Sequence, residues 1–286
     1  MRIVSLLPST TEILFAIGAG DDVVGVTFEC DHPTEARGRT IVSTSAMPEG
    51  LAPADIDAFV VAAMARGDDL YHLDEGALAG LDADLVVTQD LCAVCAVDVS
   101  VVDDALAHLG CTAEVLTIDP HTLDDVFASI LALGRATGHE PEAGRLVADQ
   151  RARLAAAWRG TLGRPRPRVM FLEWTDPPFA PGHWIPEMIE AAGGDPVLAT
   201  PGATSRRVTW EEIRAADPEV FVVAPCGFDR AGCQRLADDL VAGGVLPAHV
   251  PVLAVDANAS WARPGTRLVD GVEELAALLA KVTARR

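Results

Sequence analysis

The sequence predicts an α/β protein with two Rossmann-like lobes, each built on a parallel sheet, and a long linker helix between them. Three observations support this fold class. Short apolar runs typical of buried strands alternate with stretches of helical spacing in the first part of the chain. No strand-like run then interrupts residues 122 to 162. Strand-like runs resume beyond them and lead to a C-terminal helix, which indicates a second α/β lobe.

The first lobe is predicted to open with a strand, a turn and a capped helix. "RIVSLL" (2–7) is an apolar run that ends at Pro8, and "STTEILFAIGAG" follows with Ser9 and Glu12 in the spacing of a capping box. Further strand-like runs are "DVVGV" (22–26), "TIVST" (40–44), "ADLVVTQ" (83–89) and "AEVLTID" (113–119). The helical stretch "SVVDDALAHLG" (100–110) lies between the last two, which favours a parallel βα repeat.

The second half begins with helical segments and returns to strands. Leu123, Val126 and Phe127 follow helical spacing, and "EAGRLVADQRARLAAAWRG" continues as a second long helix. The later elements are the strands "RVMFLEW" (168–174), "EVFVVAP" (219–225) and "VPVLAVDAN" (250–258) and the helix "TRLVDGVEELAALLAKV" (266–282). We therefore predict an N-terminal lobe over 1–121, a helical linker over 122–165 and a C-terminal lobe over 166–286.

Composition excludes several classes of partner. The chain has 22 Lys and Arg against 42 Asp and Glu, a net charge of −20 that is spread along the sequence. Nucleic-acid phosphates and anionic membranes are expected to repel it. No run approaches the roughly eighteen apolar residues of a membrane span. No export signal is recognisable in "MRIVSLLPSTTEILFAIGAG", so we expect a cytoplasmic location if the sequence is complete.

Unusual residues cluster where the predicted strands end. Ligands of open parallel sheets bind beyond the carboxyl ends of the strands. The stretches at these ends are Pro8–Thr11, "TFECDHP" (27–33), "QDLCAVC" (89–95), "EWTDPPFAPGHW" (173–184), "CGF" (226–228) and "NASWARPG" (258–265). Two such edges that face each other would form a ligand cleft between the lobes, with apolar faces from Trp174, Phe179, Trp184 and Trp261.

Cys92 and Cys95 form a C-x-x-C pair at one of these strand ends. A structural zinc site needs four ligands, and the sequence has no second C-x-x-C. A thioredoxin-type couple needs its first thiol at a helix start, whereas the next predicted helix begins at Ser100. Two interpretations stay open: small soft residues that line a pocket or form an adventitious disulfide, and direct contact with a ligand or metal. We expect free thiols without catalytic activity under reducing conditions.

Taken together, these stretches resemble the helical-backbone (class III) substrate-binding proteins of ABC importers, in the cobalamin- and iron-complex-binding family. The resemblance covers nearly the whole chain. Its carriers are "IVSLLPSTTEILFAIGAGDDVVGVTFECDHP", "DADLVVTQ", "DPPF" within "FLEWTDPPFAPGHWIPEMIEAAGG", "VTWEEIRAADPEVFVV" and "SWARPGTRLVDGVEEL". It implies a non-enzymatic, extracytoplasmic solute-binding protein that captures a corrinoid, or a related haem or iron chelate, and docks on a permease.

The resemblance and the strand ends together give the predicted site. The predicted ligand contacts are Ser9, Thr10, Glu29, Gln89, Cys92, Cys95, Trp174, Phe179, Trp184, Trp261 and Arg263. Glu211 matches the family's second-lobe docking glutamate, and Glu75 is placed approximately for the first-lobe one. We expect a monomer with no catalytic residue, no metal site and no required cofactor. The alternative is a cytoplasmic enzyme or a redox or metal sensor that uses Cys92 and Cys95, although G-x-S-x-G, P-loop and H-E-x-x-H motifs are absent.

Overall fold

The computed structural model describes residues 1–48, 50–89, 102, 105–106 and 112–284, which form two compact α/β units. Unit 1 comprises Met1–Pro120 and Asp125–Val147, and unit 2 comprises His121–Asp124 and Ala148–Arg286. The α/β class with parallel sheets is confirmed. The predicted domain boundaries at 121 and 165 stay predictions, and each unit is described by itself.

Unit 1 contains a six-stranded sheet. Its strands are β1 (Ile3–Ser5), β2 (Val23–Thr27), β3 (Thr40–Ser45), β4 (Tyr71–Leu73), β5 (Leu85–Thr88) and β6 (Glu114–Thr117). They lie in the order β4-β3-β2-β1-β5-β6, and all neighbours are parallel except β3 and β4. Strands β1 and β5 are fully buried, as expected for apolar strands covered on both faces. Strand β4 was not predicted, because three residues are too few to show a strand pattern.

The helices of unit 1 include one whose start differs from the prediction. They are α1 (Pro8–Ala16), α2 (Pro53–Arg66), α3 (Glu75–Ala79), α4 (Leu123–Thr137) and the first part of α5 (Glu140–Thr161). Helix α1 begins at Pro8 with Leu7 as its N-cap and without a side-chain cap. The predicted capping box of Ser9 with Glu12 is therefore wrong, because proline suits the first helical position and leaves Ser9 inside the helix.

The helical segment after β6 consists of two helices. Helix α4 ends next to Gly138, which has a φ of +73°, a conformation that glycine adopts without steric cost. Helix α5 then runs across the boundary between the units, which falls between Val147 and Ala148. The predicted helix over 100–110 lies largely outside the described residues.

Unit 2 contains two sheets. Its strands are β7 (Arg168–Leu172), β8 (Trp174–Thr175), β9 (Pro178–Ala180), β10 (Asp195–Pro196), β11 (Arg206–Arg207), β12 (Val220–Val223) and β13 (Val252–Ala254). A parallel sheet has the order β10-β7-β12-β13, and a small antiparallel sheet has the order β11-β9-β8. The three strands predicted in this part of the chain are confirmed as β7, β12 and β13. The small sheet escaped prediction because strands of two or three residues carry too little periodicity.

The helices of unit 2 cover its parallel sheet. They are the end of α5, α6 (Ile185–Ala191), α7 (Trp210–Ala215), α8 (Arg230–Ala242), α9 (Ala257–Ser260) and α10 (Leu268–Thr283). Thr209 caps α7 through a complete capping box with Glu212. Arg153 of α5 donates to Glu273 of α10 at 3.0 Å, a contact of modest energy because both side chains are partly exposed. Across the described ranges, we find no helix with the length and apolar character that a membrane crossing requires.

Candidate functional site

The carboxyl ends of β7, β12 and β13 lie at one edge of the unit 2 sheet, because these strands are parallel. The chain leaves β7 through Glu173 and enters β8 directly. It leaves β12 through a loop in which Ala224 N donates to Leu172 O at 3.1 Å and Cys226 N donates to Glu173 O at 3.3 Å. These hydrogen bonds hold the ends of β7 and β12 side by side, where the sequence predicted ligand contacts.

A row of side chains crosses the small sheet at this edge. Trp174 of β8 lies opposite Phe179 of β9, which lies opposite Arg207 of β11. Residues directly opposite each other on paired strands share one face, so the three side chains are neighbours. Arg207 Cζ lies 5.7 Å from the centre of the Phe179 ring, and Phe228 packs edge-on against Trp174 with ring centroids 6.0 Å apart. We call Phe228, Trp174, Phe179 and Arg207 the aromatic row.

The aromatic row faces away from the core of unit 2. Phe228, Trp174 and Phe179 are half-buried and Arg207 is exposed, whereas Thr175 and Ala180 on the other face of the hairpin are buried. Trp174 and Phe179 were predicted from the sequence as ligand contacts, whereas Phe228 and Arg207 were not. "CGF" already marked Phe228 at a strand end, but nothing local marks Arg207, whose position follows from strand pairing.

The carboxyl group of Glu173 is buried between the end of β7 and the start of β11. The Ser205 hydroxyl and the Gly182 N–H donate hydrogen bonds to it. Burial raises the pKa of Glu173 to about 7, although both hydrogen bonds act in the opposite direction. Gly182 permits the close approach of the backbone of residues 203–205, because a Cβ there would lie 2.3 Å from Ala203 O. Since Ser205 directly precedes β11, the Glu173 contact ties β11 to the end of β7.

Two of the predicted aromatic contacts lie in the core of unit 2. Trp261 is 1% exposed and Trp184 is 5% exposed. The Trp184 indole N–H donates to Trp261 O at 2.8 Å, and the Trp261 ring packs against Phe171 with centroids 4.9 Å apart. Both side chains therefore pack inside unit 2. Their roles as ligand contacts stay predictions.

The carboxyl end of β1 in unit 1 is occupied by hydroxyl groups. Ser5 Oγ lies 2.7 Å from Thr10 Oγ1 and 2.8 Å from Thr11 Oγ1, and Thr11 Oγ1 lies 3.1 Å from Cys30 Sγ. Ser9 and Thr10 are 3% and 0% exposed. The Thr10 hydroxyl is hydrogen-bonded inside unit 1, and the roles of Ser9 and Thr10 as ligand contacts stay predictions.

Glu29 lies beside an aromatic pair that sequence analysis did not name. Phe28 is 39% exposed, and its ring centroid lies 6.0 Å from that of Tyr71. The Tyr71 hydroxyl lies 3.5 Å from Glu29 Oε2, a long contact for a hydrogen bond. A signal for both was present: Phe28 belongs to the strand-end stretch "TFECDHP", and Tyr71 is the only tyrosine of the chain. Gln89 follows β5 and is 5% exposed.

The thiols give no further site in the described residues. Cys92 and Cys95 lie outside them, so both interpretations of the pair stay open. Cys30 and Cys233 are buried, and burial raises the pKa of Cys233 to about 11, while Cys226 is exposed. In the ranges that the structure describes, no three His, Cys, Asp or Glu side chains are grouped so as to hold a metal.

The remaining predicted residues are charged and lie near helix ends. Glu75 is the first residue of α3 and Glu211 is the second residue of α7, and both are exposed. Arg263 is partly exposed in the segment between α9 and α10. Glu75 belongs to unit 1 and Glu211 to unit 2, so each unit carries one predicted docking glutamate.

Comparisons with known proteins agree with this architecture. Residues 3–248 match the model of the family described as periplasmic binding protein. The vitamin B12-binding protein of Yersinia pestis (strain Pestoides F) is 25% identical over 288 residues, which cover 98% of this chain and 87% of that protein. The match therefore extends over both α/β units.

Solved structures share the same fold. A periplasmic heme-binding protein from Roseiflexus sp. RS-1 has a TM-score of 0.72 and 22% identity, with 99% of this chain and 98% of that chain covered. An ABC-type Fe3+-hydroxamate transport system protein from Saccharomonospora viridis DSM 43017 has a TM-score of 0.66 and 21% identity, with 97% and 92% covered. At these identities the structural likeness establishes the fold.

Proposed function

This chain belongs to the periplasmic binding protein family, and we propose that it captures a planar metal complex, a corrinoid or a haem-like tetrapyrrole, for ABC-type import. The family and the matching relatives are binding proteins for transport. The names of these relatives include vitamin B12, heme and Fe3+-hydroxamate, which are all metal complexes. None of these relatives supports the alternative of an enzyme or sensor built on Cys92 and Cys95.

The exposure of the aromatic row is the observation that favours a planar ligand. Large aromatic side chains usually fill cores, as Trp184 and Trp261 do here. Trp174 and Phe179 instead share a half-exposed face on a sheet that is fixed by backbone hydrogen bonds. Such a face offers a flat ligand aromatic contacts on a backbone that is already ordered, which favours a planar macrocycle over a ferric hydroxamate.

Other predicted contacts complete the proposal. Glu29 and Arg263 are partly exposed and supply polar groups, whereas Ser9 and Thr10 supply backbone at the end of β1. Within unit 1, Phe28 and Tyr71, which the sequence did not predict as contacts, form an aromatic pair beside Glu29. The ligand cleft predicted from the sequence stays a prediction that rests on the strand ends and on the resemblance.

Replacement of Trp174 by Ala tests the proposal directly. We expect isothermal titration calorimetry to detect tight binding of cyanocobalamin or haemin by the natural protein. Trp174→Ala should then weaken binding by about 1–3 kcal/mol, because a stacked aromatic anchor is lost. Trp158→Ala is the matched control, since Trp158 is 47% exposed on α5 and not part of the aromatic row. The proposal is contradicted if neither ligand binds the folded natural protein. It is also contradicted if the two variants lose the same amount of binding affinity.

Docking on a permease is the second part of the proposed function, and the exposure of Glu75 and Glu211 is compatible with it. Glu211→Arg should abolish complex formation with the cognate permease in detergent, because it reverses the charge that meets a basic surface. Ligand affinity should not change. Glu190→Arg, an exposed position on α6, is the control for charge reversal elsewhere in unit 2. If Glu211→Arg still docks, this chain does not use that glutamate for import.

A further inference from the structure

Glu173 joins the segments that carry the three aromatic residues of the aromatic row. Its backbone N–H donates to Phe179 O at 3.2 Å, and its carbonyl oxygen accepts a hydrogen bond from Cys226 N at 3.3 Å. Trp174 is its direct neighbour in the chain, and Phe228 follows Cys226 by two residues. The backbone of Glu173 is therefore continuous with, or hydrogen-bonded to, each segment that presents one of these rings.

The carboxyl group of Glu173 adds two contacts of its own. The Ser205 hydroxyl and the Gly182 N–H donate to it, so the side chain bridges the segment after β9 and the segment before β11. The backbone also joins these two segments, because His183 N donates to Ala203 O at 2.7 Å. Strand β11 pairs in turn with β9. The carboxyl group thus holds the small antiparallel sheet against the end of β7.

Ionisation of this carboxyl group is costly in the arrangement that the structure shows. The residue as a whole keeps some solvent exposure, but its carboxyl group is enclosed, and burial raises the pKa of Glu173 to about 7. A buried charge is disfavoured unless water or further hydrogen bonds reach it. The ionised group gains hydration only when the Ser205 and Gly182 segments move away from the end of β7. Ionisation therefore favours a looser small sheet.

Other titratable or charged residues lie on the segments around Glu173. They are Asp176 in the turn between β8 and β9, His183 beside Gly182, Arg206 and Arg207 in β11, and Cys226 after β12. Within the described ranges, the causes of the shifted pKa are burial and the two hydrogen bonds, and no charged group contributes. Histidine is the other side chain that ordinarily titrates near neutral pH, so an experiment must separate Glu173 from His183.

We propose that Glu173 is a positioning residue for ligand binding: its neutral carboxyl group keeps Trp174 and Phe179 in the arrangement that a planar metal complex contacts, and affinity falls when Glu173 ionises. This inference rests on the proposed function and deepens it, because it makes capture at the aromatic row dependent on pH. A ligand that covers the row shields Glu173 further from water. Ligand binding and the neutral form of Glu173 therefore favour each other.

The experiment measures affinity as a function of pH. Cyanocobalamin and haemin are titrated calorimetrically at pH 6, 7 and 8 into the natural protein and Glu173→Gln, with circular dichroism to confirm the fold. The natural protein should bind about three- to tenfold more weakly at pH 8 than at pH 6. Glu173→Gln should lack this fall, because its amide oxygen accepts hydrogen bonds but the side chain cannot ionise. Comparison of the two proteins with the same ligand cancels any titration of the ligand itself.

Three further variants sharpen the test. Glu173→Ala loses both side-chain hydrogen bonds and should bind more weakly than Glu173→Gln at each pH. Ser205→Ala removes the hydroxyl that lowers the pKa of Glu173, so the fall in affinity should begin at a higher pH. Glu190→Gln, at an exposed position on α6, is the control and should keep the pH profile of the natural protein. Where Glu173→Ala does not fold, the comparison of Glu173→Gln with the natural protein decides.

The outcomes separate this inference from the proposed function. The inference is overturned if the natural protein binds its ligand equally well from pH 6 to pH 8. It is also overturned if Glu173→Gln keeps the natural pH profile, because another group such as His183 then causes it. In both cases a ligand is bound and the proposed function stands. If neither compound binds the folded natural protein at any of these pH values, the inference and the proposed function both fail.

Discussion

The carboxyl edges of the two sheets are built from different chemistry. In unit 2 the end of β7 leads to the half-buried aromatic residues Trp174 and Phe179, whereas in unit 1 the end of β1 is closed by the buried hydroxyls of Ser5, Thr10 and Thr11. Buried hydroxyls must find hydrogen bonds inside the protein, so they fix the backbone. Aromatic faces have no such demand and stay available for stacking. The difference shows that an aromatic surface is half-exposed at the edge of the unit 2 sheet, whereas the corresponding edge of unit 1 is closed by internal hydrogen bonds.

The largest expected effect separates core aromatics from the aromatic row within unit 2. Trp261→Ala should lower the free energy of unfolding by about 3–5 kcal/mol, because it removes a fully buried ring that packs against Phe171. Trp174→Ala should cost less stability, since its ring is half-exposed. Urea unfolding followed by far-ultraviolet circular dichroism gives both values. A Trp261→Ala protein that keeps its stability but loses ligand affinity would show that Trp261 is a ligand contact.

The next effect is a pH dependence of the free energy of unfolding, which we expect to arise from Glu173 at the end of β7. Its pKa is raised from 4.5 to about 7 on folding, so the folded state favours the neutral acid. Its contribution to stability is therefore full below pH 4.5 and is lost as the pH rises through about 7. Glu173→Gln, which cannot ionise, should be more stable than the natural protein by up to about 3 kcal/mol near pH 8 and little different near pH 4.

Unfolding titrations of both proteins across this range test the prediction. Glu190→Gln, at an exposed position, is the control and should leave the pH profile of the natural protein unchanged. A difference between Glu173→Gln and the natural protein that does not vary with pH would contradict the raised pKa.

A smaller effect on stability is expected at the carboxyl end of β1 in unit 1, where the hydroxyls of Ser5, Thr10 and Thr11 meet. Thr11→Val keeps the shape of the side chain but removes the oxygen that contacts Ser5 and Cys30. The loss of a buried hydrogen bond should cost about 1–2 kcal/mol, and this cost should not vary with pH between 4 and 8, unlike that of Glu173. Thr11→Ser retains the hydroxyl and should recover part of the stability. If the valine variant is as stable as the natural protein, the hydroxyls do not fix this edge.

The smallest effect compares two sequence patterns that both look like capping boxes. Thr209→Ala should lower stability by about 1 kcal/mol, because Thr209 caps α7 and bonds the Glu212 backbone. Ser9→Ala should cost less, since Ser9 lies inside α1 and is not its cap. Thermal unfolding of the two variants under the same conditions decides the comparison. Equal losses would indicate that Ser9 stabilises the start of α1 in another way.

These comparisons show where local sequence patterns were sufficient. The apolar runs that became β1, β2, β5, β7 and β12 were recognisable because parallel strands buried on both faces have continuous apolar character. The S/T-x-x-E spacing of Thr209 and Glu212 does form a capping box at the start of α7. The same pattern at Ser9 failed, because Pro8 starts α1 one residue earlier. Strand β4 and the small sheet were missed, since their short strands exist only through pairing with neighbours.

The sequence by itself determined the α/β class, the family resemblance and the presence of Trp174 and Phe179 at a strand end. These features depend on local hydrophobic periodicity and on motifs that are read along the chain. Tertiary structure decided which aromatics are buried and which are exposed, separating Trp261 from Trp174. It also placed Arg207 beside Phe179 and Ser205 beside Glu173, because β11 pairs with a strand that is distant in sequence. Burial and pKa both depend on such contacts, and a one-dimensional pattern does not contain them.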